Sequence, residues 1–348
     1  MAAVTEQDLI EALKTVPHPS GTGDIYSRGI VQNLKFENGR VSLVLTVSPA
    51  FKRDAVALQE RTALALKKLE GVTSVRAVVS AERGAPELMP AAQIVKKPVP
   101  GAKQVIAVAS GKGGVGKSTV AVNLALALQG LGLKVGLMDA DVYGPSAPML
   151  LGLKKRPEGA AGKLEPLAAF GLQVMSMGFL VDTEAPLIWR GPMVGSAVRQ
   201  FLYDVAWREL DLLVVDMPPG TGDAQLTLAQ RVPLAGVVIV STPQDLALID
   251  ARKGLEMFKT IHVPILGLVE NMSVFVCPHC GERSHIFSHG AVEQTAKKLG
   301  VPFLGEIPLS IELREASDKG EPVVAAKPRS ETAAAFRAIA EKVKSRLG

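Results

Sequence analysis

The hydrophobic pattern changes rhythm along the chain. Over the first 82 residues it is mixed. Thr5-Glu6-Gln7-Asp8 followed by Leu9, Ile10 and Leu13 predicts a capped helix start. Ile30–Phe36 and Val41–Val47 alternate apolar and polar positions and flank Glu37-Asn38-Gly39-Arg40. Asn-Gly between two such runs predicts a β-hairpin. Arg53–Leu69 carries apolar residues at helical spacing (Val56, Leu58, Leu64, Leu66, Leu69), and Val72–Ser80 reads as a last strand. The order α-β-β-α-β predicts a small α+β domain over residues 1–82. Residues 83–103, rich in proline and carrying a Lys-Lys pair, read as a linker. From 104 to 348 the pattern becomes short unbroken apolar runs, the mark of strands buried on both faces. These stretches, apolar but for Lys134 and Glu306 at their ends, are Val105–Val108, Lys134–Met138, Leu212–Val215, Val237–Val240, Ile265–Val269 and Phe303–Glu306. Helical stretches separate them, such as Thr119–Gln129, which stops at Gly130 and Gly132. The expectation is an α/β domain with a doubly wound, mainly parallel sheet.

Candidate chemistry sits at the ends of those strands. After the first, Gly111 to Ser118 reads G-x-x-x-x-G-K-S, a phosphate-binding loop. Gly111, Gly113, Gly114 and Gly116, with Val115 between, let successive backbone N–H groups turn around an anion. Lys117 reaches the outer phosphates of a nucleotide, and the Ser118 hydroxyl suits Mg²⁺. The helix that starts near Lys117 and runs through Thr119 points its positive end at the same place. Lys112 is an extra cation inside the loop. The second strand delivers Asp139-Ala140-Asp141, and of the two carboxylates Asp141 is expected past the sheet and facing the nucleotide. The third strand ends in Asp216, the second Mg²⁺ element of a phosphate-loop enzyme, with Gly220 and Gly222 in a segment able to sense the γ-phosphate. Glu270-Asn271-Met272 is expected at a strand end.

Composition narrows the class. The chain has 348 residues, 47% hydrophobic and 21% charged, so it suits two globular domains. Its net charge of +5 is scattered, without a basic block or interleaved aromatics, and does not imply nucleic acid. No apolar run approaches a membrane span, and the N-terminus lacks a secretion pattern, which predicts a cytoplasmic protein without a membrane role. The two cysteines are Cys277 and Cys280, three positions apart in C-P-H-C. They are open to several readings. A zinc site within one chain could use them with His285 and His289. A redox pair lacks its usual strand-then-helix context. They could be plain structural residues. Two chains could also each give two thiolates to one iron–sulfur cluster.

Several strings taken together resemble a known family. K-G-G-V-G-K-S from Lys112 is similar to the deviant phosphate loop of MinD, ParA and the nitrogenase iron protein. D-A-D-V-Y-G-P-S from Asp139, D-M-P-P-G-T-G-D from Asp216 and C-P-H-C following E-N-M-S resemble the Mrp/ApbC iron–sulfur carrier family over essentially the whole chain. The first 82 residues resemble a domain that occurs alone in iron–sulfur assembly factors. Such domains often carry a cysteine after the second strand, where this chain has Ser48-Pro49-Ala50-Phe51-Lys52. The resemblance implies a homodimeric ATPase using ATP and Mg²⁺. Lys112 would reach the partner's nucleotide, Asp141 would orient the attacking water, and Asn271 would meet the adenine edge. It implies a [4Fe–4S] cluster on Cys277 and Cys280 of both chains, in a cage that also accepts zinc. Recipients would be apo iron–sulfur proteins, with iron–sulfur assembly factors as further partners. A positioning or partitioning ATPase of the MinD/ParA kind and a zinc-binding interaction protein are the alternatives.

Overall fold

A computed structural model of the chain describes residues 4–19, 21–37, 39–47, 55–81, 96–142, 144–160, 162–180 and 191–348. Asn38 of the expected hairpin turn, Ser48–Lys52, Tyr143 and residues 83–95 of the expected linker lie outside them. Two units are present, Met1–Gln93 and Ile94–Gly348. The smaller holds α1 (Glu6–Lys14), β1 (Val31–Glu37), β2 (Arg40–Val47), α2 (Ala55–Lys67) and β3 (Ser74–Ala81). The Thr5 hydroxyl accepts from the Asp8 N–H, and the Asp8 carboxylate accepts from the Thr5 N–H, so the expected cap closes in both directions. β1 and β2 pair antiparallel and β3 adds to β2 in parallel. Leu9, Leu13, Leu43, Leu45, Leu58 and Leu66 fill the core between sheet and helices.

The larger unit begins earlier than its apolar runs suggest. The Lys97 N–H donates to the Arg231 carbonyl, Val99 is buried, and β4 (Ala102–Ala109) already pairs at Ala102 with Leu210. Residues 96–103, assigned above to the linker, therefore pack on this unit. The chain continues through α3 (Lys117–Gly130), β5 (Val135–Asp139), α4 (Ala147–Leu150), β6 (Gly159–Ala160), β7 (Lys163–Leu164), β8 (Leu167–Ala169) and β9 (Leu172–Ser176). Then come α5 (Gly191–Tyr203), β10 (Leu210–Asp216), α6 (Asp223–Arg231), β11 (Gly236–Ser241), α7 (Asp245–Thr260) and β12 (Ile265–Val276). The last elements are β13 (Arg283–Ser284), α8 (Ala291–Leu299), β14 (Phe303–Leu309), α9 (Ile311–Lys319), α10 (Val323–Ala326) and α11 (Glu331–Leu347).

The main sheet runs β13-β12-β11-β4-β10-β5-β9-β8, with β14 also paired to β12. All its pairings are parallel except those of β8 and β13 at the margins. From β4 the chain moves to β5 on one side and later to β11 on the other. Such a reversal opens a crevice at the carboxyl ends of the strands, where ligands bind in sheets of this kind. β4 is buried from Val105 to Ala109, as the unbroken apolar run requires.

β12 departs from expectation. It continues to Val276, so Glu270-Asn271-Met272 lies inside a strand rather than at its end. Met272 takes a left-handed φ of 57°, and the register against β14 shifts between Asn271 and Phe275. Four steps on β12 match two on β14 across this irregularity, so it absorbs two residues and lets the pairing resume beyond it.

The C-terminal α11 packs its apolar stripe of Phe336, Ile339 and Val343 against α3 and β14. That face is buried and offers no lipid anchor. No helix among the described residues is long and apolar enough to cross a membrane. Phe336→Ala should empty a filled site and destabilise the larger unit by about 3–5 kcal/mol. A lowered urea midpoint checks this, and an unchanged midpoint would show that the helix is not part of the core.

Candidate functional site

The loop between β4 and α3 forms one wall of a cleft of about 490 Å³. Lys112, Gly113, Gly114, Gly116, Lys117, Ser118 and Thr119 line it. A Cβ on Gly113 or Gly114 would meet nothing within 4 Å, so the backbone lies open to the cleft at both. Gly116 caps α3 in the left-handed region at φ 79°, and a Cβ there would stand 2.2 Å from the Asn271 amide nitrogen. Gly111 faces the other way, with its absent Cβ 2.1 Å from the Asp250 carbonyl carbon of α7. The loop therefore needs glycine at 116 for conformation and contact, and at 111 for the close approach of a helix. Asn271 reaches across from β12 and donates from Nδ2 to the Val115 carbonyl at 2.8 Å. Its amide braces the loop while the residue also lines the cleft. Lys112 is exposed at the cleft mouth.

Behind the loop lies a buried charge cluster. The Lys117 ammonium donates to Asp216 Oδ1 at 2.5 Å and to Ser118 Oγ at 3.2 Å, and lies 3.8 Å from Asp141 Oδ2. Asp216 pairs in register with Asp139 of β5, so parallel strands bring the two carboxylates to one level. The two residues of D-A-D sit in different surroundings. Asp139 Oδ1 accepts from the Asp141 N–H, and its Oδ2 accepts from the N–H groups of Ser146 and Ala147 and from the Ser176 hydroxyl. It is a buried clamp on the turn that follows. Asp141 lines the cleft. Burial and the Asp216 carboxylate push Asp139 up to about 7. Burial also raises Asp216, against the opposing pull of Lys117. One ammonium thus lies against two carboxylates, Asp216 and Asp141, with Asp139 behind them. Asp216 Oδ2 is fully buried and has no hydrogen-bond partner. An orphaned anionic oxygen beside a serine hydroxyl, in a cluster short of positive charge, fits a hard divalent cation with oxygen ligands.

Cys277 and Cys280 occupy a different place. β12 and β13 form an antiparallel hairpin through Phe275↔Ser284 and Val276↔Arg283, and the cysteines lie on its connecting loop. The Cys277 N–H donates to Glu282 O and the Gly281 N–H to Cys277 O, both at 2.9 Å, which closes the turn. Both thiols are free, Cys277 half-buried and Cys280 exposed. The backbone N–H groups of Cys280 and His279 aim at the Cys277 sulfur and pull its thiol below the ordinary range, which favours thiolate. The histidines of the single-chain zinc reading do not join them. His285 and His289 stack at 4.3 Å, and His289 approaches Glu306 at 3.9 Å. Among the described residues, the three-donor group that assembles is Glu270, His289 and Glu306. Its buried member, Glu270, is already engaged by the N–H groups of Gly290 and Val292 at the start of α8.

Comparison with known proteins decides the family. Residues 101–344 match the profile described as NUBPL iron-transfer P-loop NTPase, of the ParA group, and residues 6–77 match that described as iron-sulfur cluster assembly protein. The chain belongs to the ParA/NUBPL family of iron-transfer P-loop NTPases. The iron-sulfur cluster carrier protein of Synechocystis is 45% identical, over 99% of this chain and 98% of its own. The iron-sulfur cluster transfer protein NUBPL of Mus musculus is 54% identical over 72% of this chain and 80% of its own. A nucleotide-binding protein of Archaeoglobus fulgidus, solved with ADP and with cobalt found in it, is similar in structure. Its TM-score is 0.57 at 43% identity, covering 63% of this chain and 87% of that one. The cell division ATPase MinD of Pyrococcus furiosus gives a TM-score of 0.52 at 25% identity, covering 70% of this chain and 98% of that one.

In this member of the family, one cleft edge gathers the residues singled out for nucleotide and metal, and a separate hairpin holds the thiols. The opposite cleft wall went unnoticed in the sequence. Leu309, Ser310, Leu313 and an ion-paired Arg314–Asp318 line it from the end of β14 and from α9. No motif marks these residues, and only the rule that ligands sit at carboxyl strand ends pointed there. Gly116→Ala would force a Cβ into the left-handed region, at about 1–2 kcal/mol, and against Asn271 as well. ADP binding measured by calorimetry should weaken about tenfold or more. Unchanged affinity would show that this loop does not cradle the nucleotide.

Proposed function

We propose that the chain is an ATPase whose homodimer holds a [4Fe–4S] cluster between two Cys277/Cys280 pairs and hands it to apo iron–sulfur proteins. The observation that carries this reading is the pairing, in one chain, of a phosphate-loop cleft with two free cysteines closed into a hairpin turn at the end of a cleft-lining strand. A [4Fe–4S] cargo ordinarily takes four thiolates. The chain has two cysteines, so a second copy supplies the others across a twofold axis. The family's iron-transfer description and the carrier names of its relatives agree with a cargo of this kind. The cytoplasm is the compartment this reading assumes.

The chemistry at the cleft follows from the residues. Backbone N–H groups from Gly113 to Ser118 cradle the phosphates, and Lys117 turns from Asp216 towards them. Ser118 and Asp216 hold Mg²⁺, which neutralises phosphate charge and fits the orphaned Asp216 oxygen. Asp141 orients a water that adds to the γ-phosphorus as the bond to the bridging oxygen of ADP breaks. Asn271 fixes the loop against β12 and stands at the base-binding side. Lys112, exposed at the cleft mouth, reaches the partner's nucleotide in the dimer. Turnover of this kind acts as a switch on the cargo. The small unit serves as a docking module for assembly factors. The membrane-positioning alternative is disfavoured by the buried stripe of α11.

Lys117→Ala should abolish ATP hydrolysis. Asp141→Asn should bind ATP within about twofold of the parent yet hydrolyse it about 10²-fold more slowly, the scale of a lost water-orienting group. Lys112→Ala should also lose hydrolysis, and a mixed dimer of Lys112→Ala with Lys117→Ala should differ from either parent. Phosphate-release assays check each, and full activity in any folded single variant removes that residue from its role.

The thiols give a second test. Cys277→Ser and Cys280→Ser should each lose the thiolate-to-iron absorbance after anaerobic reconstitution and weaken dimerisation. Retention of the chromophore by either variant would place the cargo elsewhere.

A further inference from the structure

The segment leaving β10, Asp216-Met217-Pro218-Pro219-Gly220, forms part of the cleft edge, with Pro219 among its lining residues. Backbone bonds stitch it down at both ends. The Met217 N–H donates to the Val108 carbonyl at 3.0 Å, and the Gly220 N–H donates to the Ser110 carbonyl at 2.9 Å. Between those points stand two prolines, which have no N–H to give. The middle of the segment can therefore be tied down only through its carbonyls. One side chain does so. Gln225, in the first turn of α6, donates from Nε2 to the Pro218 carbonyl. The amide orientation is fixed by that contact, because a flipped amide would set two oxygens against each other.

Gln225 is 1% exposed, and its Oε1 is buried with no hydrogen-bond partner. A buried unsatisfied oxygen costs stability, and an apolar side chain of the same shape would remove it but leave the buried Pro218 carbonyl without its donor. One orphaned oxygen is exchanged for another, so stability alone gives glutamine no clear advantage over an apolar residue here. The tether gives glutamine a reason to be present.

We propose that Gln225 is a positioning residue for nucleotide hydrolysis, holding the Pro218–Pro219 edge of the cleft in place through its bond to the Pro218 carbonyl. It touches neither nucleotide nor metal. It sets where Pro219 and Gly220 meet the phosphates, and α6 carries any shift of the segment away from the cleft. The inference rests on the ATPase reading given above.

The test uses the full-length protein and Gln225→Met, which keeps shape and burial but removes both the tether and the orphaned oxygen. Phosphate release, ADP affinity, thermal midpoint and amide hydrogen exchange are measured together. Displaced cleft edges typically lower turnover by about 10- to 100-fold. The expected variant shows that loss in kcat, with KM for ATP and ADP affinity within about twofold of the parent. Its thermal midpoint stays within about 4 °C of the parent, because the lost tether and the lost orphaned oxygen offset each other, and exchange is faster in the peptide spanning 216–222 and unchanged in β4. An unchanged kcat overturns the proposal. So does a fall of kcat together with a fall of the thermal midpoint beyond that range, since that marks a merely structural role, and so does unchanged exchange over 216–222. If the parent itself releases no phosphate, the ATPase reading fails and the catalytic role of Gln225 falls with it. The exchange arm then still judges the tether.

Discussion

The Lys117 ammonium compensates a concentration of buried negative charge at the carboxyl ends of two parallel strands. Asp139, Asp141 and Asp216 arrive there because β5 and β10 end in register and because the chain turns immediately after each. Buried carboxylates are costly unless paired and hydrogen-bonded. Asp139 is satisfied by three backbone N–H groups or hydroxyl neighbours on one oxygen and one N–H on the other, while Asp216 depends on Lys117 for its single partnered oxygen. Lys117 opens α3, so the conformation of the glycine loop, the start of the helix and the charge balance of the sheet edge depend on one residue. A bound phosphate would compete for the same ammonium and a bound cation for the same carboxylate. Replacing one ion pair by the other would conserve charge compensation, which is how a buried cluster of this kind can serve as a binding site.

The second consequence concerns reach. β12 lines the cleft at Asn271 and Met272 and continues without interruption to Val276, where the thiol loop begins. The bulge at Met272 makes that continuity possible, and the Ser273 hydroxyl ties it to the Ile307 carbonyl of β14. Part of the cleft lining and the thiol loop thus share one strand but face different surroundings. The cleft is lined by glycines and carboxylates, which suit hard ions and phosphate. The hairpin offers soft sulfur, with backbone N–H groups that favour thiolate.

Much of this was legible in the sequence, for identifiable reasons. Unbroken apolar runs can be buried on both faces only in a covered parallel sheet, so the core strands and their order of chemistry followed. The phosphate loop fixes residue types at a spacing that few other structures require. Asp139 and Asp141 differ in place because β5 ends at Asp139 and leaves Asp141 on the turn beyond it. What escaped notice depends on contacts between distant segments. Asn271 looked like a strand-end residue because nothing in its neighbourhood announces a bulge at a methionine. His285 and His289 had ligand-like spacing, yet they stack on each other and His289 approaches Glu306. The start of the larger unit was hidden by proline-rich composition, although Val99 and Ala102 find partners in the sheet. Gln225 and the wall from β14 and α9 carry no local signal at all, since their importance comes from what they face.

The central claim is that the cargo site is complete only when two chains meet. Iron counted per chain after anaerobic reconstitution, together with the solution mass of the same sample, tests it most directly. About four irons per two chains, in a particle of twice the chain mass that reverts towards monomer when the iron is removed, is the expected result. Metal bound stoichiometrically by a particle of single-chain mass, and lost on replacement of His285 or His289, would contradict it.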